Sequence, residues 1–202
     1  LMPLDDAPDG HVSRWRSPAF AGLMGIALIA TGFPLLMAGL YLGPQDATIR
    51  EMASDATVDN SVLDETLKSR RAAVQWVKAG KTFSEIGMIL QLKAAKAPLG
   101  SEAREQLLRQ AVTAQKTGLS LSPMDGYGWM RLAQGLTALP AAQGPSDLPK
   151  VLMLAMRLAR YDPALIIPRI NLALLRWRTL DDSMRAEMAQ QHFPIHATKT
   201  SG

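Results

Sequence analysis

The chain has 202 residues, with 22 lysines and arginines against 18 aspartates and glutamates and a formal net charge of +4. It contains no cysteine, which excludes a disulfide framework and suits a periplasmic compartment and a cytoplasmic one equally.

Residues 1–18 are polar, with Pro3, Asp5, Asp6, Pro8, Asp9 and Gly10, and are expected to form a short flexible tail. From Ser17 to Gln45 no residue is charged, and 19–42 read AFAGLMGIALIATGFPLLMAGLYL. About 20 apolar residues cross a hydrocarbon core of roughly 30 Å as a helix. A cleaved signal peptide has an apolar region of roughly 7–15 residues and a small-x-small site; this span is longer, and Leu36-Met37-Ala38-Gly39-Leu40 offers no clean A-x-A. A soluble core helix would carry a polar face, and here only Thr31 interrupts. The expectation is a membrane anchor, helical because backbone groups in lipid must bond internally. Pro34, with no N–H, and the nearby Gly32 predict a kink near 30–34.

Trp15 and Tyr41 stand where interface anchors belong, one at each end. Arg14 and Arg16 precede the span, while Arg50 follows it beside Asp46, Glu51 and Asp55. Lysine and arginine are retained on the cytoplasmic side. That predicts a cytoplasmic 1–18 and, in a bacterial inner membrane, a periplasmic remainder. Ala21, Gly22, Gly25 and Gly32 are small residues of the kind that let membrane helices approach closely. They point to packing against an integral membrane partner, although glycine and alanine are also simply common in such helices.

Gly43-Pro44 ends the span, and 43–60 read as a polar linker or a frayed helical extension. Beyond it, residues 61–191 carry helix signals. Ser61–Asp64 and Thr82–Glu85 have capping-box spacing. Leu63, Leu67, Val74 and Val77 fall on one helical face, with Gly80 as a stop. Phe83, Ile86, Ile89 and Leu90 mark a second helix ending near Lys96. A third opens at Ser101, with Leu107, Leu108 and Ala111 inward and Gly118 as its stop. Further helices are expected over about 125–139, 146–161, 163–177 and 181–191, with a loop at 140–145 and a loose tail over 192–202. No useful strand alternation occurs, so the fold class is all-α, and about 140 residues suffice for one core.

Leu121–Leu136 and Tyr161–Arg176 match at an offset of about 40. Leu121-Ser122-Pro123-Met124 aligns with Tyr161-Asp162-Pro163-Ala164, and Leu132-Ala133 with Leu172-Ala173. The stretch LSLSPMDGYGWMRLAQ, residues 119–134, resembles the junction between tetratricopeptide repeats, where a helix ends before proline and the next opens with an aromatic residue and Leu-Ala; 157–173 is similar but weaker. The resemblance covers about residues 101–178, keeps the family's small-residue positions only in part, and has a longer period than the usual 34. It implies a short curved stack of helical hairpins whose concave face holds a partner segment.

Signals for chemistry are sparse. His192 and His196 have a helical metal-ligand spacing, but Pro194 lies between them and no carboxylate or cysteine completes a site. Asp181 and Asp182 are adjacent and point apart on a helix, which suits Asp181 as an N-cap. No P-loop, nucleophile elbow or dinucleotide fingerprint is present. No catalytic residue, metal or cofactor is therefore expected. Arg131, Lys150, Arg157, Arg160, Arg169, Arg176 and Arg178 outnumber Asp147 and Asp162 in the C-terminal hairpins. They form a candidate basic face for an acidic protein or anionic lipid, or else an ordinary solvated face with stems over the core. Nucleic acid does not fit the expected topology. Trp129, Trp177, Met124, Met130, Met153, Met156, Met184 and Met188 read as core packing.

The expected function is a non-enzymatic, single-pass scaffold or accessory subunit of an inner-membrane complex. An assembly factor for envelope components is the alternative, and an envelope enzyme the remotest one.

Overall fold

Helix α1 (Pro18–Leu42) runs unbroken through the uncharged span and past Pro34. It is the one described helix long and apolar enough to cross a membrane. Its polar interruption is satisfied locally: the Thr31 hydroxyl donates to the carbonyls of Ala27 at 2.9 Å and Leu28 at 3.2 Å. The computed structural model describes residues 18–53, 58–140, 148–159, 162–177, 180, 182, 185 and 186. Among these the protein is helical, with no strand.

After a 3-10 turn at Gly43–Gln45 the chain forms α2 (Asp46–Ala53), so the expected linker is largely a helical extension. Then follow α3 (Asn60–Trp76), α4 (Gly80–Lys96), α5 (Glu102–Leu121), α6 (Gly126–Ala138) and α7 (Leu148–Leu158). A second 3-10 turn, Pro163–Leu165, leads into α8 (Ile166–Leu175). Each of α3 to α6 packs on the next helix, and α1 packs on α3. Short connections force such neighbours to run antiparallel.

The core has two parts. Met52, Leu63, Leu67, Ile86, Ile89 and Leu90 join α2, α3 and α4 to Ala111 of α5. Leu108, Leu119, Met130, Leu136, Leu152 and Met156 join α5 to α6 and α7. Helix α5 thus serves both, and Leu107 touches the two clusters.

Several local expectations change. Asp59 takes the N-cap of α3 in place of Ser61, and α4 starts at Gly80, which leaves Thr82 inside the helix and buried. Gly80 and Gly118 stop no helix. A Cβ on Gly118 would sit 2.9 Å from the Gly80 carbonyl oxygen and 3.2 Å from the Ser84 nitrogen. The two glycines are where α4 and α5 cross backbone to backbone. Ser101 does cap α5, its hydroxyl accepting from the Arg104 N–H at 3.2 Å. Met124 is 75% exposed and fills no core.

The repeat has a structural counterpart. Asp125 accepts from the Gly128 N–H and Asp162 from the Ala164 N–H, each at 3.0 Å. Leu132-Ala133 and Leu172-Ala173 are buried in the same cluster. The offset of 40 holds through the turn: α6 starts at Gly126 and α8 at Ile166, and the turn before each is closed by a backbone bond, Asp125 N–H to the Ser122 carbonyl at 3.1 Å and Leu165 N–H to the Asp162 carbonyl at 3.2 Å. Pro123 and Pro163 thus occupy the same place in the two turns, although Asp125 caps α6 itself and Asp162 caps the 3-10 turn before α8.

Gly118→Ala should lower stability by about 1–3 kcal/mol, because the added methyl meets backbone that has no room to give. Gly22→Ala, with nothing within 4 Å, should leave it unchanged or slightly raised. Denaturant unfolding in one detergent compares the two.

Candidate functional site

Leu63, Thr66, Leu67, Arg70, Ala73 and Val74 form the buried face of α3. Helical spacing carries Arg70 inward with its apolar neighbours, and its side chain is 0% exposed. An unpaired buried guanidinium would cost several kcal/mol, and here three elements meet its charge. Nη1 donates to the Leu42 carbonyl at 2.9 Å, Nη2 donates to Asp46 Oδ1 at 2.8 Å, and Nε lies 2.9 Å from Glu85 Oε2.

The contact with Leu42 lies where α1 passes into the 3-10 turn Gly43–Gln45. A carbonyl oxygen has two lone pairs; Leu42, at the N-cap of that turn, offers one of them to Arg70, and the Ser69 hydroxyl donates to the carbonyl of Tyr41 beside it. Two consecutive side chains of α3 thus hold the end of α1, and Asp46 and Glu85 add α2 and α4 to the same cation.

Next to this clamp lies a cleft of about 530 Å³, lined in part by Asp46, Lys81, Glu85, Asp125, Tyr127 and Arg131. Burial raises the pKa of Glu85, against the pull of Arg70 and Lys81. Lys81, one turn earlier on α4, lies 3.9 Å from Glu85 Oε1. Arg131 enters from α6 and donates to Ser84 Oγ at 3.1 Å. Burial lowers its pKa, with Asp125, Glu85 and Tyr127 opposing. A hydrogen bond with Asp162 raises the pKa of Tyr127. The lining thus carries both cations and carboxylates, and no histidine or cysteine is among the lining residues. No group of three potential metal ligands occurs among the described residues.

Among the described residues, the arginines of the expected basic face do not share one surface. Arg131 lines the cleft. Arg169 is buried and donates to the Ala159 carbonyl just past α7. Arg176 donates to the Thr137 carbonyl near the end of α6 at 3.0 Å. Both satisfy helix-end carbonyls. Arg157 is exposed, and Arg160 and Arg178 lie outside the described residues.

Tyr41 is exposed on the last turn of α1, and Trp15 lies outside the described residues. Ala21 is exposed, and a Cβ on Gly22, Gly25 or Gly32 would meet nothing within 4 Å. Trp129 packs on the core and donates from Nε1 to the Pro123 carbonyl at 2.8 Å. Trp177 is exposed, with the Arg185 guanidinium 5.6 Å from its ring centroid. Asp182 pairs with Arg185 at 2.9 Å. The three histidines, Asp181, Met184 and Met188 fall outside the described residues.

Arg70 and Glu85 are the residues that pattern reading passes over. Their signal is a charge set in an apolar stripe: Arg70 in register with Leu63, Leu67 and Val74, and Glu85 beside Ile86 and Ile89. Comparison with protein-family models, characterised proteins and solved structures finds no match, so the geometry alone carries the functional reading.

Because the folded-state pKa of Glu85 is raised, the folded protein holds a proton that the unfolded chain releases. Stability should fall as pH rises from the ordinary glutamate value of about 4.3 through the raised one. Glu85→Gln, which cannot ionise, should flatten that part of the stability–pH curve in thermal melts. An unchanged slope would mean that Glu85 titrates as an exposed glutamate does.

Proposed function

We propose that the protein is a membrane-anchored helical scaffold, an accessory subunit of a larger membrane complex, and that its charged cleft receives a segment of a protein partner. The observation that carries this reading is the cleft itself. It is open, it is lined by both cations and carboxylates, and it lies against the clamp that joins the body to α1. Groups of both signs suit the backbone and side chains of an extended peptide better than a uniformly charged polymer. Its serines, Ser84 and Ser122, have no histidine beside them among the lining residues to act as base.

The stack of antiparallel helices agrees with a tetratricopeptide-like groove. The open small-residue face of α1 suits a second helix in lipid. Tethering at the membrane raises the local concentration of membrane-bound partners. On the flanking charges, residues 1–18 belong in the cytoplasm and the body in the periplasm of a bacterial inner membrane.

Affinity purification from membranes in mild detergent, with subunit counting, tests the proposal. One partner should co-elute in fixed ratio with the native chain, and its yield should fall several-fold with Arg131→Glu. A partner lost entirely on washing would point to a transient assembly factor instead. Retention undiminished by charge reversal would remove the cleft as the binding site.

A further inference from the structure

Helix α3 runs antiparallel to α1. Ser69 and Arg70 meet the carbonyls of Tyr41 and Leu42, and farther along Trp76 meets Phe33, ring centroids 5.7 Å apart and edge to face. Phe33 is nine residues before Leu42, which is roughly 13 Å back along the helix at about 1.5 Å per residue. A hydrocarbon core of roughly 30 Å takes up about 20 residues. Arg16 bounds the far side, so a core counted from Ser17 reaches about residue 36, beyond Phe33. If α1 spans the bilayer, Trp76 therefore lies at the hydrocarbon boundary and not in bulk water.

Other side chains share that end of the body. A Cβ on Gly80 would lie 2.2 Å from Ser122 Oγ, so the turn after α5 sits directly against the start of α4. There Leu121 and Met124 are exposed, as is Trp76. Lys78 is exposed in the α3–α4 turn, and the Lys81 side chain is 87% exposed. The clamp lies farther out: Arg70 is six residues before Trp76 on α3, about 9 Å toward the aqueous side.

We propose that this end of the helical body is seated in the bilayer surface, with Trp76, Leu121 and Met124 in the interfacial layer and Lys78 and Lys81 on the phosphates of anionic lipids. The inference rests on α1 crossing the bilayer. Tryptophan favours the headgroup level. Lysine extends its charge past an apolar stem, and each lysine near an anionic surface adds attraction that falls off within a Debye length. The exposed apolar residues at this end are then covered by lipid.

The absence of cysteine from the chain makes single-site labelling direct. The full chain is placed in nanodiscs of phosphatidylcholine and phosphatidylglycerol, with an environment-sensitive fluorophore on Met124→Cys, Ile29→Cys or Leu99→Cys. Leu99 is exposed in the turn at the opposite end of α4. Nitroxide-labelled lipid should quench most of the emission at positions 124 and 29 and leave position 99 bright, whereas aqueous iodide should quench only position 99.

If 29 is quenched by lipid while 124 responds to iodide like 99, the anchor stands and the seating is overturned. If 29 is not quenched by lipid, the anchor fails and the seating with it. Lys78→Glu/Lys81→Glu should sharply reduce lipid quenching at 124. Undiminished quenching in that variant would overturn the phosphate contacts.

Discussion

A guanidinium with no access to water must find its partners inside the protein, and this requirement organises the junction between α1 and the body. Arg70 meets it with the Leu42 carbonyl, Asp46 and Glu85. The partners differ in kind. Asp46 is largely exposed, so its attraction is weakened by solvent; Glu85 is nearly buried and resists ionisation. The Leu42 carbonyl is fixed in place by α1. Removing one side of such a buried cluster usually costs about 3–5 kcal/mol, because the other charge is left stranded. The cluster therefore sets how α1 meets the body.

The helical body transmits that constraint through close contacts. Gly80 and Gly118 let α4 and α5 approach backbone to backbone, and the buried Gln115 donates to the Ser84 carbonyl at 3.0 Å. Ser84 in turn accepts from Arg131 of α6. A line of contacts thus runs from the α4–α5 crossing to the cleft wall. Helix α5 is shared by both halves of the core, so the cleft wall and the α4–α5 crossing belong to one continuous packing arrangement.

Much of the architecture is legible in the sequence because it depends on local periodicity. The uncharged span gives α1, and Ser101 and Asp125 mark the starts of α5 and α6 through their capping oxygens. Glycine is where local reading fails. Gly80 and Gly118 look like helix stops, yet each is required by the other helix at a distance in sequence. Arginine fails for the same reason. A cluster of arginines in 131–178 reads as a surface, whereas Arg169 and Arg176 bind carbonyls near the ends of α7 and α6. Arg70 belongs to this class too: its partners lie 15, 24 and 28 residues away, beyond the reach of any helical periodicity.

The central claim is that the Arg70 cluster holds α1 at a fixed angle to the body. Electron-electron distance measurement between spin labels at Ile29→Cys and Leu99→Cys, with the chain in nanodiscs, tests it directly. The native background should give one narrow distance distribution. Arg70→Met/Glu85→Leu, which keeps the interior filled but frees the Leu42 carbonyl and Asp46, should broaden it. An equally narrow distribution at the same mean distance in that variant would contradict the claim.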